Sequence, residues 1–195
     1  MKKIKIFACC LMVVILGIYV SRLFVSKPKL PDMDKLHQYC ASHNYSTDYC
    51  ILVDFSRPTG IDRFFIYDFS KKKIVERSLC AQGLGKNWNI FAPSKFSNVP
   101  GSNYSSLGKY KVGGLRKMSK AFFGKGYTVY GLDSSNSNAL ARGILIHRGN
   151  PGFQTYPLPC VPASRGCFAV SDGMMRSIEV YKKSTRKPLL LYAYN

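Results

Sequence analysis

From Cys50 onward the chain passes through three short stretches in which apolar and polar residues alternate, and this pattern limits the fold more than any other feature. "CILVDF" sets Ile51, Val53 and Phe55 on one side, "RPTG" interrupts it, "RFFIYDF" resumes with Phe65, Tyr67 and Phe69, and "SKKK" turns into "IVERSLCAQG". A period of two is that of a strand with one face in a core, so the segment reads as a meander of three strands. Further strand candidates are "KYKV", "YTVYGL", "GILIH" and the closing "PLLLYAY". Two helices complete the reading. Residues 32 to 43 carry Met33, Leu36, His37 and Cys40 on one helical face, and "SDGMMRSIEVYKK" has Ser171 at its N-cap with Met174, Ile178 and Tyr181 facing inward. The expected fold class is therefore mainly β with two or more helices (α+β). Between the meander and "KYKV" lies "GLGKNWNIFAPSKFSNVPGSNYSSLG", too polar and broken for regular structure and long enough to suggest a functional loop.

A chain of 195 residues has room for one domain with a real core and a short appendage. The appendage is at the front: Lys2, Lys3 and Lys5 precede an apolar run over residues 6 to 20, the layout of a signal sequence. No small-residue cleavage site follows, so the reading over residues 1–30 is an uncleaved anchor at 6–25, with Arg22 snorkelling, and a linker; a removed signal peptide is the alternative. Residues 31–195 are then the folded domain, on the exported side of the cytoplasmic membrane. Lys plus Arg number 29 against 10 Asp plus Glu, a net charge of +19 that calls for anionic surroundings. No nucleic-acid-binding signature accompanies it, which leaves an acidic cell envelope and no nucleic acid. Oligomeric state is left open.

Export places Cys40, Cys50, Cys80, Cys160 and Cys167 in an oxidising compartment, and an odd number leaves one over. Cys160 and Cys167 lie close enough in sequence to pair. If Cys167 stays free, the expected bridges are Cys40 with Cys50 and Cys80 with Cys160. His37, Cys40, His43 and Cys50 fall within fourteen residues, but their spacing fits no common zinc pattern and reads as core packing, so neither metal nor cofactor is expected. Tyr127 and Tyr130 stand on a strand, where tyrosine ordinarily packs; lining a cleft is the alternative.

A cysteine that attacks a carbonyl needs a base or cation beside it and free amides for the oxyanion. His147 closes the apolar strand "GILIH", and in "SRGCFAV" Gly166 leaves approach to Cys167 open, amides near Gly166 and Cys167 offer oxyanion donors, and Arg165 brings positive charge. His147, sixteen residues, then "SRGC" resembles the His-x(14–17)-[Ser/Thr]-x-Gly-Cys signature of the L,D-transpeptidases that cross-link bacterial cell-wall peptides. "ILVDFS" and "RFFIYDF" are similar to the opening strands of that catalytic domain, and "SSLGKYKV" to its Thr-Pro-x-Gly-x-Tyr segment. The branch it resembles is the murein L,D-transpeptidase catalytic-domain-like one.

The resemblance implies a β-sandwich catalytic domain, with Cys167 as nucleophile, His147 as base, the backbone carbonyl of Arg148 orienting the imidazole, and Ser164, Arg165 and Gly166 filling the remaining motif positions. It also implies peptidoglycan tetrapeptide stems as partners and a thioester intermediate, resolved by an acceptor amine or, in an L,D-carboxypeptidase, by water. The alternative from another class is a silent, membrane-tethered wall-binding protein with Cys160 and Cys167 bonded together. Arg165 stands where relatives commonly carry His or Trp, and Ala169 where Arg is frequent.

Overall fold

The computed structural model describes residues 10–17, 27–86, 94–117, 124–149 and 164–195. Eight strands form one sheet. The expected meander is β1 (Tyr49–Asp54), β2 (Phe64–Asp68) and β3 (Lys73–Ser78), paired antiparallel in sequence order. β4 (Gly108–Lys117) and β5 (Lys125–Gly131) form the next antiparallel pair, followed by β6 (Leu145–Arg148), antiparallel to β5. Two parallel contacts complete the sheet: the C-terminal β8 (Leu190–Tyr194) enters between β1 and β4, and β7 (Phe168–Val170) lies along β6.

The two sheet edges meet. Cys80, just beyond β3, bridges to Val170 at the end of β7, and the Ala81 amide donates to the Ala169 carbonyl at 2.9 Å. The expected sandwich thus takes the form of a single curled sheet, nearly closed into a barrel, which leaves few open edges. Inside the curl, Ile51, Phe64, Tyr110, Val129, Ile146, Phe168 and Leu191 make the main core, into which α3 (Asp172–Ser184) sets Met174 and Ile178. As expected, Ser171 caps α3, accepting from the Met174 amide at 3.0 Å.

The outer face is covered over only part of its width. α2 (Met33–Ser42), capped by Asp32, lays Leu36 and Cys40 over Cys50 and Leu52 of β1, Phe65 and Tyr67 of β2, and Leu190 of β8. His37 packs on Phe69 and His43 stacks on Tyr39.

The two disulfide expectations are corrected here. Cys40, Cys50 and Cys80 are free thiols, so neither the Cys40–Cys50 nor the Cys80–Cys160 bridge is present; Cys160 itself lies outside the described residues. Cys40 and Cys50 pack as small apolar groups between α2 and the sheet, and Cys80 fills the inner core. Burial pushes the Cys40 and Cys80 thiols up to about 12. The expected anchor is described only over 10–17, a helical stretch, α1, with exposed Leu11, Met12, Val13 and Val14; among the described residues no helix is long and apolar enough to cross a membrane.

Candidate functional site

The pairing of β6 with β7 brings the two expected catalytic residues together. In this parallel pair Ile146 lies opposite Phe168 and His147 opposite Ala169, so Cys167, just before β7, falls beside Leu145. Side chains alternate along a strand, which sends Ile146 and Phe168 into the core and puts Leu145, His147, Cys167 and Ala169 on the outer face. His147 and Cys167 are thus diagonal neighbours on adjacent strands, a separation that a ring and a thiol bridge readily.

His147 is buried, and its Nδ1 lies 2.8 Å from the Arg148 carbonyl oxygen. A carbonyl only accepts, so Nδ1 carries the hydrogen and Nε2 is the basic nitrogen. Burial pulls the imidazole below the usual histidine value, and the bond to Arg148 opposes part of that shift. Cys167 is half-buried and not disulfide-bonded. Burial pushes its thiol up, against the pull of the Leu145 amide and the Arg142 charge. Both shifts favour the neutral forms, a thiol beside a neutral imidazole, over a thiolate–imidazolium pair.

The turn leading into the thiol is tightly held. Ser164 donates to the Cys167 carbonyl at 2.7 Å and accepts from the Gly166 amide at 3.1 Å. Gly166 has φ +111°, and a Cβ there would stand 2.8 Å from Ile144 Cδ1 and 2.9 Å from the Tyr104 carbonyl oxygen, so no other residue fits. Of the two amides expected to hold an oxyanion, that of Gly166 is already engaged by Ser164. The Arg165 side chain is exposed, and the Arg148 guanidinium turns to Asp172, 3.6 Å from Nε to Oδ1.

The cation acting on the thiol is one the sequence reading passed over. Arg142 donates from Nη1 to the Ser97 carbonyl and the Ser106 hydroxyl, both at 2.7 Å, and from Nη2 to the Tyr104 carbonyl. Its Nη2 would be 3.2 Å from a Cβ on Gly166, which places it directly under the nucleophile turn. The polar loop expected to be functional supplies this support. Asn138 donates twice to Asn98, from its amide to Oδ1 at 3.0 Å and from Nδ2 to the carbonyl at 3.1 Å, pinning the loop to the turn that carries Arg142, while Ser105 accepts from the Gly83 amide at 2.9 Å and donates to the Gly166 carbonyl at 3.4 Å. No pattern in "NSNALARG" marks Arg142; only the folded turn shows its role.

Replacing Arg142 with Ala removes both the charge and three hydrogen bonds. Alkylation of Cys167, mapped by peptide mass spectrometry at neutral pH, is expected to slow roughly three- to tenfold as the thiol moves further up. Arg142→Lys keeps the charge without the planar fork, so it should recover part of the alkylation rate while still lowering the melting temperature. Equal alkylation rates in all three proteins would remove Arg142 from the site.

A family model described as the L,D-transpeptidase catalytic domain matches residues 27–194. Among solved structures, the L,D-transpeptidase (residues 123–326) of Xylanimonas cellulosilytica is 13% identical with TM-score 0.42, over 80% of this chain and 68% of that one. The helical cell shape determining protein Pgp2 of Campylobacter jejuni is 14% identical with TM-score 0.47, over 82% and 55%, and Bd1075 of Bdellovibrio bacteriovorus 14% with TM-score 0.45, over 75% and 48%. The chain thus spans from about half to two thirds of these longer proteins. No curated protein matches it. With a matched region that takes in the whole curled sheet and the paired His147 and Cys167, the chain belongs to the L,D-transpeptidase catalytic-domain family.

Proposed function

We propose that the protein is a cell-wall cysteine acyltransferase that acts on peptidoglycan tetrapeptide stems through a Cys167 thioester. The observation that carries the reading is the common outer face of β6 and β7, on which a histidine with its Nδ1 hydrogen fixed by the Arg148 carbonyl neighbours an unbonded thiol.

As the sulfur bonds to the carbonyl carbon of the third stem residue, the thiol proton passes to Nε2 of His147. The imidazolium returns that proton to the departing nitrogen as the C–N bond breaks, which releases the terminal D-amino acid and leaves a thioester. An acceptor amine then attacks the thioester, gives up a proton to His147, and the sulfur takes the proton back as it leaves. With the Gly166 amide bonded to Ser164, the Cys167 amide is the remaining backbone donor of the expected pair for the oxyanion. Ser164 acts by holding the turn, and exposed Arg165 meets substrate at the rim. The working location in this reading is the exported side of the cytoplasmic membrane, with residues 6–25 as the tether.

Incubation with a disaccharide-tetrapeptide, followed by mass analysis, should yield dimers joined between third residues together with free D-amino acid. Tripeptide without dimers would mean that water is the acceptor and make the protein an L,D-carboxypeptidase. An unchanged tetrapeptide would overturn the acyl-transfer reading.

A further inference from the structure

The outer face that carries His147 and Cys167 continues across β5 to β4, beyond the reach of α2. Thr128 lies opposite Leu145 across β5–β6, and Lys111 lies opposite Tyr130 across β4–β5, with Val112 and Val129 beside them turned into the core. By the same alternation Thr128, Tyr130 and Lys111 share the face of the thiol. Lys111 also lies opposite Leu190, which α2 buries, so it stands where the covered half of the face ends.

The two β4 lysines on this face differ in their surroundings. Lys109 is neutralised by Asp133 at 3.2 Å and lies over the Tyr39 and Tyr192 rings. Lys111, a half-buried residue, has no acidic partner among the described residues, and its Nζ sits 4.7 Å from the centre of the Tyr130 ring. The ring in turn lies on the backbone of Gly113, where a Cβ would be 2.6 Å from Tyr130 Cε2. A bulge between Val112 and Leu115 falls at this glycine. The result is a flat aromatic floor with an ammonium held over it and no internal counter-charge, an arrangement that an anion completes.

Its distance from the thiol limits what that anion belongs to. From β4 to β7 is three strand spacings, about 14 Å, and Lys111 is one pleat repeat, about 7 Å, along from the row of Cys167. An extended peptide covers about 3.3–3.6 Å per residue, and the lysine stem shortens the remaining gap. With its stem turned toward the sulfur, the ammonium comes within roughly 10 Å of a carbonyl there, a span that a carboxylate branching from the preceding residue covers.

We propose that Lys111 and Tyr130 form a subsite for a carboxylate of the acyl-donor stem peptide, upstream of the carbonyl that Cys167 attacks. The subsite rests on the proposed function for the identity of its peptide, and it is a charge-matched site on a chain with net charge +19.

The test uses the whole chain with Cys167→Ala, which prevents turnover, and two synthetic stem tetrapeptides that differ only in carrying a free carboxylate or an amide at the second residue. The carboxylate peptide should bind more tightly, and Lys111→Gln should weaken it roughly tenfold while leaving the amidated peptide unchanged. Lys111→Arg should restore most of the difference, which separates a charge contact from a folding defect. Equal loss for both peptides in Lys111→Gln, or no preference in the parent, would overturn the subsite. In the Cys167-containing protein, KM should carry the effect of Lys111→Gln with kcat little changed. Carboxylate-dependent binding without thioester formation would leave the subsite standing and reject the acyl-transfer reading, so the two failures are distinguishable.

Discussion

Treatment of the intact chain with a carbapenem is expected to add one full drug mass at Cys167, and Cys167→Ala is expected to show none. The β-lactam carbonyl takes the place of the stem carbonyl: sulfur bonds to it as the ring C–N bond opens, so nothing is lost from the mass. Selectivity among the described thiols follows from burial. Cys40, Cys50 and Cys80 are 0–1% exposed, and burial raises all three, two of them to about 12, so they are neither accessible nor ionised. Exposed Cys10 lies ahead of the matched region 27–194, away from His147 in sequence, and peptide mapping should find it unacylated. An adduct that survives in Cys167→Ala would reject Cys167 as nucleophile. So would the absence of an adduct together with a mapped bond from Cys167 to Cys160, the arrangement of a silent wall-binding protein.

Much of this arrangement was legible in the chain because local pattern and local pairing coincide in the first half of the fold. β1, β2 and β3 are consecutive antiparallel neighbours, so the alternation of Ile51, Val53 and Phe55 carries both strand identity and the face that enters the inner core, while the opposite face is buried by α2. α3 was likewise visible through its cap and its spacing of Met174 and Ile178. β7 was not. Three consecutive buried residues, Phe168, Ala169 and Val170, offer no alternation, and their partner β6 is reached only across a long parallel connection. The curl of the sheet was hidden for a related reason, since the bridge from Cys80 to Val170 joins residues that no local signal links.

The site divides along the same line. Motif spacing brought forward His147, Ser164, Gly166 and Cys167, which act through their own backbone neighbourhood: the Arg148 carbonyl for His147, the Gly166 amide and Cys167 carbonyl for Ser164. Arg142 works through Ser97, Tyr104 and Ser106, roughly forty positions upstream. In the sequence it is one of 29 basic residues. Arg165 looked the better candidate because it adjoins the thiol in the chain, yet it is exposed while Arg142 acts on the sulfur. The disulfide expectation failed from counting cysteines without knowing their layers. Cys40 and Cys50 belong to the layer between α2 and the sheet, and Cys80 to the inner core.

His147→Asn is expected to slow acylation of Cys167 by roughly 10²–10⁴-fold at neutral pH, the usual range for loss of a positioned general base. The size of the defect should depend on pH, with a sign fixed by the two shifts. Burial lowers the imidazole, so in the parent protein the base stays unprotonated, and the rate stays high, to a lower pH than an ordinary histidine would allow. Burial raises the thiol, so Cys167 still carries its proton at neutral pH and needs a base to remove it. As pH rises through the thiol's own value, the thiolate forms without help, and the His147→Asn protein should approach the parent rate. A preformed thiolate–imidazolium pair would give a different profile, with alkylation of the parent already maximal at mildly acidic pH and the variant slow until the free thiol ionises. The profile of Cys167 alkylation in the parent, taken beside acylation in His147→Asn, separates these cases. A deficit that is equal at every pH would mean that His147 shapes the site without moving the proton, and an unchanged neutral rate would exclude it from the chemistry.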